Sequence, residues 1–205
     1  LLTVPVEWLR EFQSADGFIP NFQNLIRRLD STVLRAIPRT RAENDPRFKQ
    51  LVGYVIFRCG DEVFHYQRSP RVGEPRLANL RSLGVGGHVN ARDLKAGSVP
   101  DTLAAAIRRE IAEEVSLVTP ATELVPRYLG LIDSEDSSVS QVHLGIVAIA
   151  ELSTPHLTLR DGTLVDARFD SPASLLRNRA HEFETWSQMC LRFLVDHTPI
   201  QPESF

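Results

Sequence analysis

The chain has 205 residues, 42% apolar and 24% charged, which is enough to bury a core as one domain with an extension. A formal net charge of −3 gives no global attraction to polymeric nucleic acid or to an anionic membrane surface. No apolar run approaches the ~18 residues that a bilayer span needs. Cys59 and Cys190 lie far apart without CxxC partners and read as two reduced thiols. The first residues lack a signal-peptide pattern, so the expected location is cytoplasmic.

In chain order, VEWLREF and NLIRRLDSTVLRAI place apolar residues at roughly helical spacing between residues 5 and 36, interrupted by Asp16, Gly17 and Pro20. This predicts a helical N-terminal extension over residues 1–37, ahead of a domain over 38–205. LVGYVIFRC and DEVFHYQR flank Gly60-Asp61 and read as a β-hairpin. Residues 69 to 82, rich in Pro, Gly and Arg, read as a long loop. LGVGGHV and a polar loop to Pro100 follow. A helix is expected from about Asp101, its N-cap, to Val115. ELVPRYLGLI, QVHLGIVAIAEL and TLVDARF are strand candidates. Ser171-Pro172 opens a helix with proline at its first position, and an amphipathic helix runs from about Glu182 to Asp196. Strands and helices without strict alternation predict an α/β fold, a mixed sheet covered by helices.

Residues 108 to 117, RREIAEEVSL, carry the chemistry. On a helix, Glu110, Glu113 and Glu114 stack on one face, where like charges repel. Three oxygen-only ligands suit a hard divalent cation such as Mg²⁺ or Mn²⁺, and magnesium shares its shell with substrate phosphates. The spacing alone equally allows a solvated acidic face.

REIAEEVSL resembles the core of the Nudix hydrolase signature, Gx5Ex7REUxEExGU, where U is aliphatic. Arg109, Glu110, Ile111, Glu113, Glu114 and Leu117 match it. Counting back from Arg109 aligns Asp101 with the signature's first glutamate. Gly87 is the best match to the opening glycine, which implies an eight-residue insertion between Gly87 and Asp101. Ser116 replaces the late glycine. The likeness covers about residues 38 to 197 and is greatest to a subgroup of predicted Nudix phosphoesterases of unassigned substrate.

The resemblance implies an α/β/α sandwich and a hydrolase that cleaves a nucleoside diphosphate linked to another group, by attack of metal-activated water. Carried over, Glu113 and Glu114 are metal ligands, and Glu110 is a further ligand or the general base. The Gly87 carbonyl completes the shell, and Arg109 holds a glutamate in place. A catalytically silent Nudix-fold module binding nucleotides or a protein is the alternative. Isopentenyl diphosphate isomerase shares the fold, but the glycine turn offers His88 where that chemistry needs a cysteine.

Other residues carry expectations beside plainer ones. Arg68, Arg71, Arg76 and Arg81 flank a loop that can close over a small-molecule diphosphate, or can simply be solvated. His88 can bond a phosphate or metal-bound water with a pKa of roughly 6 to 7; otherwise it is structural. His143 is expected to pack within a strand. Asp133, Glu135 and Asp136 form an acidic turn that can supply an extra carboxylate. The N-terminal helices offer a surface for a homodimer.

Overall fold

The computed structural model describes residues 1–12, 17–20, 26, 28–29, 32–69, 77–94, 98–117, 124–160 and 164–197. The sheet is organised by β4 (Phe48–Cys59), a run of mostly buried, β-branched and aromatic residues that pairs on both sides. Its neighbours are β5 (Glu62–Arg68) on one side and β10 (His143–Glu151) on the other. β10 runs parallel to β4 from Gln50–His143 to Arg58–Glu151. β9 (Arg127–Ile132) pairs antiparallel with β10, and β12 (Leu164–Asp170) closes the far side on β5. The sheet is therefore mixed, as expected. The hairpin turn is also as expected, with Gly60 at φ +58° between Cys59 and Glu62.

The N-terminal segment departs from expectation. Among its described residues, β1 (Leu2–Pro5) pairs antiparallel with β4 and with β3 (Arg35–Ala36). β2 (Phe18–Pro20) extends the sheet beyond β9. Helix occurs there among the described residues in α1 (Val6–Leu9) and at Ile26 and Arg28. Leu2, Val4 and Leu9 are buried with Leu51, Leu131 and Leu144, so these residues share the main core rather than forming a separate helical extension. The apolar spacing was compatible with a helix, but open backbone beside β4 gave a strand more hydrogen bonds to make. A short helix, α2 (Arg39–Ala42), precedes β4.

Two helical layers cover the sheet. α3 (Val99–Glu114) buries Leu103, Ile107 and Ile111 against Leu51, Val55 and Phe57. Full burial of those three side chains favours folding by roughly 5–9 kcal/mol as an upper estimate. On the opposite face α4 (Pro172–Arg179) and α5 (Thr185–Asp196) pack Leu175, Met189, Cys190 and Leu191 against Tyr54, Ile56 and Val147. Cys59 and Cys190 are both free thiols. No helix among the described residues is long and apolar enough to cross a membrane.

Candidate active site

α3 starts two residues before the position expected. Ser98 is the N-cap, accepting from the Asp101 N–H at 3.2 Å, with Pro100 in the first turn. Asp101 is thus not the cap but an exposed first-turn acid, favoured by the positive end of the helix. At the other end Val115 is extended, φ −124° and ψ 150°, and leads straight into β8 (Val115–Leu117). No left-handed residue is needed there, so Ser116 carries no strain in place of glycine. Arg160, next to β11 (Leu157–Leu159), closes the helix end: its N–H donates to the Glu114 carbonyl and its Nε to that of Val115.

Arg109 is the hub of the carboxylate cluster. Its Nε and Nη2 donate to the two oxygens of Asp93 at 2.9 and 2.8 Å, a bidentate fork. Its Nη1 donates to Glu110 at 2.6 Å and to Glu113 at 3.1 Å, and Nη2 also reaches the His88 carbonyl at 3.0 Å. These bonds, that to Asp93 first, raise its pKa further. Asp93 is buried; burial works against its charged form, but the fork and the Asn90 N–H outweigh this and hold its carboxyl below the usual range. Glu110 is also buried, which pushes its pKa up against the opposing pull of Arg109. Glu113 lies exposed, with Arg92 at 3.7 Å, and Glu114 is half-buried.

Asp93 was missed in the sequence, although its signal was present. Gly87 and Asp93 are separated by five residues, the Gx5E spacing of the signature with Asp for Glu. The fork to Arg109 puts Asp93 in that place. The insertion therefore lies between Asp93 and Arg109, where fifteen residues stand in place of seven, and not between Gly87 and Asp101. A 3₁₀ turn, Ala91–Asp93, delivers the acid: the Asn90 and Asp93 side chains cap each other's backbone reciprocally.

The glycine pair brings the turn against the cluster. Gly86 has φ +148°, and a Cβ there would lie 2.3 Å from the Gly53 carbonyl oxygen. A Cβ on Gly87 would lie 2.6 Å from Glu110 Oε2, so any side chain there would displace that carboxylate. The Gly87 carbonyl accepts from the Gly53 N–H at 2.9 Å, which uses one of its two lone pairs; a cation could take only the other.

The remaining residues fall elsewhere. Arg81 is 1% exposed and fully committed: Nη1 donates to Asp166 Oδ2 and Nη2 to the Asp166 carbonyl, each at 2.6 Å, and Nε to His65 Nδ1 at 2.8 Å. This corrects the expectation that Arg81 grips phosphate, because its guanidinium is spent inside the fold. It supports an irregular turn of β12, where Asp166 sits at φ +49°. Arg68 donates to Glu184 Oε2 at 3.1 Å, beside a buried network in which Tyr54 and Ser82 share Glu184 Oε1. Arg71 and Arg76 lie outside the described residues.

His88 and His143 meet Nε2 to Nε2 at 3.1 Å. Burial, and next the His143 imidazole, push His88 down to about 4, below the range expected from sequence. Asp133 pairs with buried Lys49, which also donates to the Ser134 and Ser140 carbonyls, and Asp136 accepts from Ser134. Asp133 thus staples its loop to β4.

Among the described residues, no three His, Cys, Asp or Glu side chains stand close enough together to hold an ion as they are. The donor set nevertheless fits a hard divalent cation. Asp93, Glu110 and Glu113 pair with Arg109, Glu113 also with Arg92, and Glu114 follows on the same helix, so the donors are all carboxylates. The uncompensated charge is all on oxygen.

Comparison with known proteins agrees with this architecture. Protein YmaB of Bacillus subtilis (strain 168) is 35% identical over 164 residues, which span 79% of this chain and 77% of YmaB. The crystal structure of Tm1382, named as a candidate Nudix hydrolase, superposes with a TM-score of 0.75 at 28% identity, over 96% of this chain and 98% of that one. A bifunctional NMN adenylyltransferase/ADP ribose pyrophosphatase from Francisella tularensis, complexed with AMP and a manganese ion, shares the fold. Its TM-score is 0.54 at 19% identity, covering 72% of this chain and 41% of that one. No family model matches the sequence. The chain belongs to the Nudix hydrolase family and is a hydrolase of that type.

Proposed function

We propose that the protein hydrolyses a diphosphate linkage in a nucleoside diphosphate joined to another group, with Mg²⁺ or Mn²⁺ held by Glu110, Glu113 and Glu114. The observation that carries this is the Arg109 hub, which gathers Asp93, Glu110 and Glu113 beside the Gly86–Gly87 turn and offsets only part of their charge. A divalent cation bound there lowers the pKa of attacking water and offsets charge developing on phosphoryl oxygens. Arg109, itself fixed by Asp93, orients the Glu110 and Glu113 carboxylates. Glu110, pressed against Gly87, is a further ligand or the acceptor of the water's proton. Arg68, whose side chain stays partly exposed beside Glu184, is the proposed contact for a substrate phosphate.

The test is a screen of diphosphate compounds with Mg²⁺ and Mn²⁺, reading products by mass, beside Glu113→Gln and Glu114→Gln. Each substitution should lower turnover by at least about 100-fold with the melting temperature unchanged. Full turnover in both variants, or in excess chelator, rules the mechanism out.

A further inference from the structure

β4 and β5 pair next to their turn, at Arg58–Val63 and Cys59–Glu62. Further along, β6 (Arg81–Ser82) pairs with β5 and β7 (Gly84–Val85) with β4, so this short stretch stands between the two strands. Phe183 bridges to Arg81, and the Glu184 N–H donates to the Arg81 carbonyl at 3.0 Å. The residue that opens α5 is therefore tied to β6 through its backbone.

The Glu184 side chain is 5% exposed and ringed by donors. Oε1 accepts from Ser82 Oγ at 2.6 Å and from the Tyr54 hydroxyl at 3.0 Å. Tyr54 reaches it because residue 84 is glycine: a Cβ there would lie 2.3 Å from the ring. Oε2 accepts from Arg68 Nε at 3.1 Å, the one charged partner of Glu184 among the described residues. Burying a carboxylate is costly, and an apolar residue of similar size would avoid that cost. Helix capping does not account for it, since Glu184 stands at the N-cap of α5 and its side chain makes no cap bond.

Arg68 links this carboxylate to the face of the sheet that carries α3. Phe64 and Tyr66 of β5 pack with Ile107 and Ile111 of α3, and Arg68 alternates onto the same face. Its guanidinium stands 5.7 Å from the centre of the Tyr66 ring. Burial, first of all, pushes the Tyr66 hydroxyl up to about 12; Arg68 opposes this, and the charges of Glu184 and Glu114 add to it. Tyr66 thus feels the Arg68–Glu184 pair and an α3 carboxylate together. The guanidinium edge made by Nε and Nη2 points to Glu184 and Ser82, while Nη1 has no partner among the described residues and the side chain stays 28% exposed.

Resting on the hydrolase reading above, we propose that Glu184 is a positioning residue for the reaction, holding Arg68 by its Nε edge so that Nη1 is presented to a phosphate of the bound diphosphate. The guanidinium is then ordered before the substrate arrives, and binding need not bear that cost. Tyr54 and Ser82 keep the carboxylate itself from turning.

Calorimetry on the full chain with Mg²⁺ and ADP reads the pair without requiring turnover. Arg68→Ala should weaken ADP binding about tenfold. No binding by the unaltered chain, or equal binding in Arg68→Ala, overturns the phosphate contact and the positioning with it. Glu184→Gln separates orientation from charge. Removing a negative charge beside Arg68 by itself strengthens the pull on phosphate, so a positioning role shows the opposite sign. ADP should bind about fivefold more weakly, the cost of ordering one long side chain. That loss should vanish when Glu184→Gln is made in the Arg68→Ala chain. Unchanged or tighter binding in Glu184→Gln, or the same loss beside Arg68→Ala, overturns the role.

If Glu184→Gln fails to fold, Tyr54→Phe keeps the ring and takes one donor from the carboxylate. A smaller loss of the same pattern is expected there, and unchanged affinity overturns the proposal. Failure of the hydrolase reading shows itself differently, as no hydrolysis in the diphosphate screen while this pattern of ADP binding stands.

Discussion

At the scale of single residues, Gly87 and Arg81 separate what serves the reaction from what serves the fold. A Cβ on Gly87 meets the mobile end of Glu110, so the carboxylate can swing aside and the backbone need not move. Gly87→Ala should therefore lower turnover by about 100-fold, the cost of moving a catalytic group by around 1 Å, with little loss of melting temperature. Comparable losses of stability and turnover would place Gly87 in the fold instead. Arg81→Ala should do the reverse. It takes the donor from buried His65 and one of the two arginine partners of Asp166, which keeps Arg168, so stability should fall by about 1–3 kcal/mol while KM of the remaining folded enzyme stays unchanged. A raised KM in folded Arg81→Ala would restore the phosphate contact expected from sequence.

At the scale of elements, the caps of α3 can be read and tested. Ser98→Ala should cost about 0.5–2 kcal/mol of stability, whereas Asp101→Ala should change melting and turnover little. Denaturation curves on the pair settle which residue starts the helix, and a loss of that size in Asp101→Ala without one in Ser98→Ala would return the cap to Asp101. The sequence itself shows why the start was misplaced. Ser98-Val99-Pro100-Asp101 holds two candidate caps, and proline suits the first turn of a helix as well as the residue before one. The carboxylates of α3 were legible because they sit on one helix at fixed spacing. Asp93 was less so, because it acts through Arg109 from a separate turn, and its distance from Gly87 is the only mark it leaves in the chain. Arg81 and Arg68 look alike in sequence, since a lone arginine does not reveal whether its partner is substrate or a distant Asp166 or Glu184. The N-terminal strands were illegible for a similar reason: three or four residues carry too few alternations to outweigh a helical pattern.

At the scale of the whole molecule, two histidines set a pH response. His65 is fully buried, accepts from Arg81 at Nδ1 and bonds Asp170 through Nε2; burial first, with the charge of Arg81, lowers its pKa. His88 is lowered too, to about 4. The unfolded chain takes up protons at these histidines as pH falls through about 6.5, where the folded chain does not. Unfolding then binds protons, so stability is fullest above that pH and declines below it, through to about 4. Glu110, raised by burial, opposes this weakly from the acid side. Denaturant melts between pH 7 and pH 4.5 should show the decline, and His65→Gln should flatten part of it if the variant folds. A stability that rises on acidification would contradict the neutral forms assigned to both rings.

The parallel pairing of β4 with β10 has a consequence for how the chain is made. Val55, Ile56 and Phe57 leave the ribosome early, yet the strand they pair with ends at Glu151. At about 5–20 residues per second, this apolar stretch waits roughly 5–20 s for its partner. During that interval its hairpin with β5 is its nearest shelter, and an unpaired edge of this composition invites association with other nascent chains. Yield in a cell should therefore depend on chaperone supply and on translation rate between Cys59 and Glu151 more than on the stability of the finished enzyme.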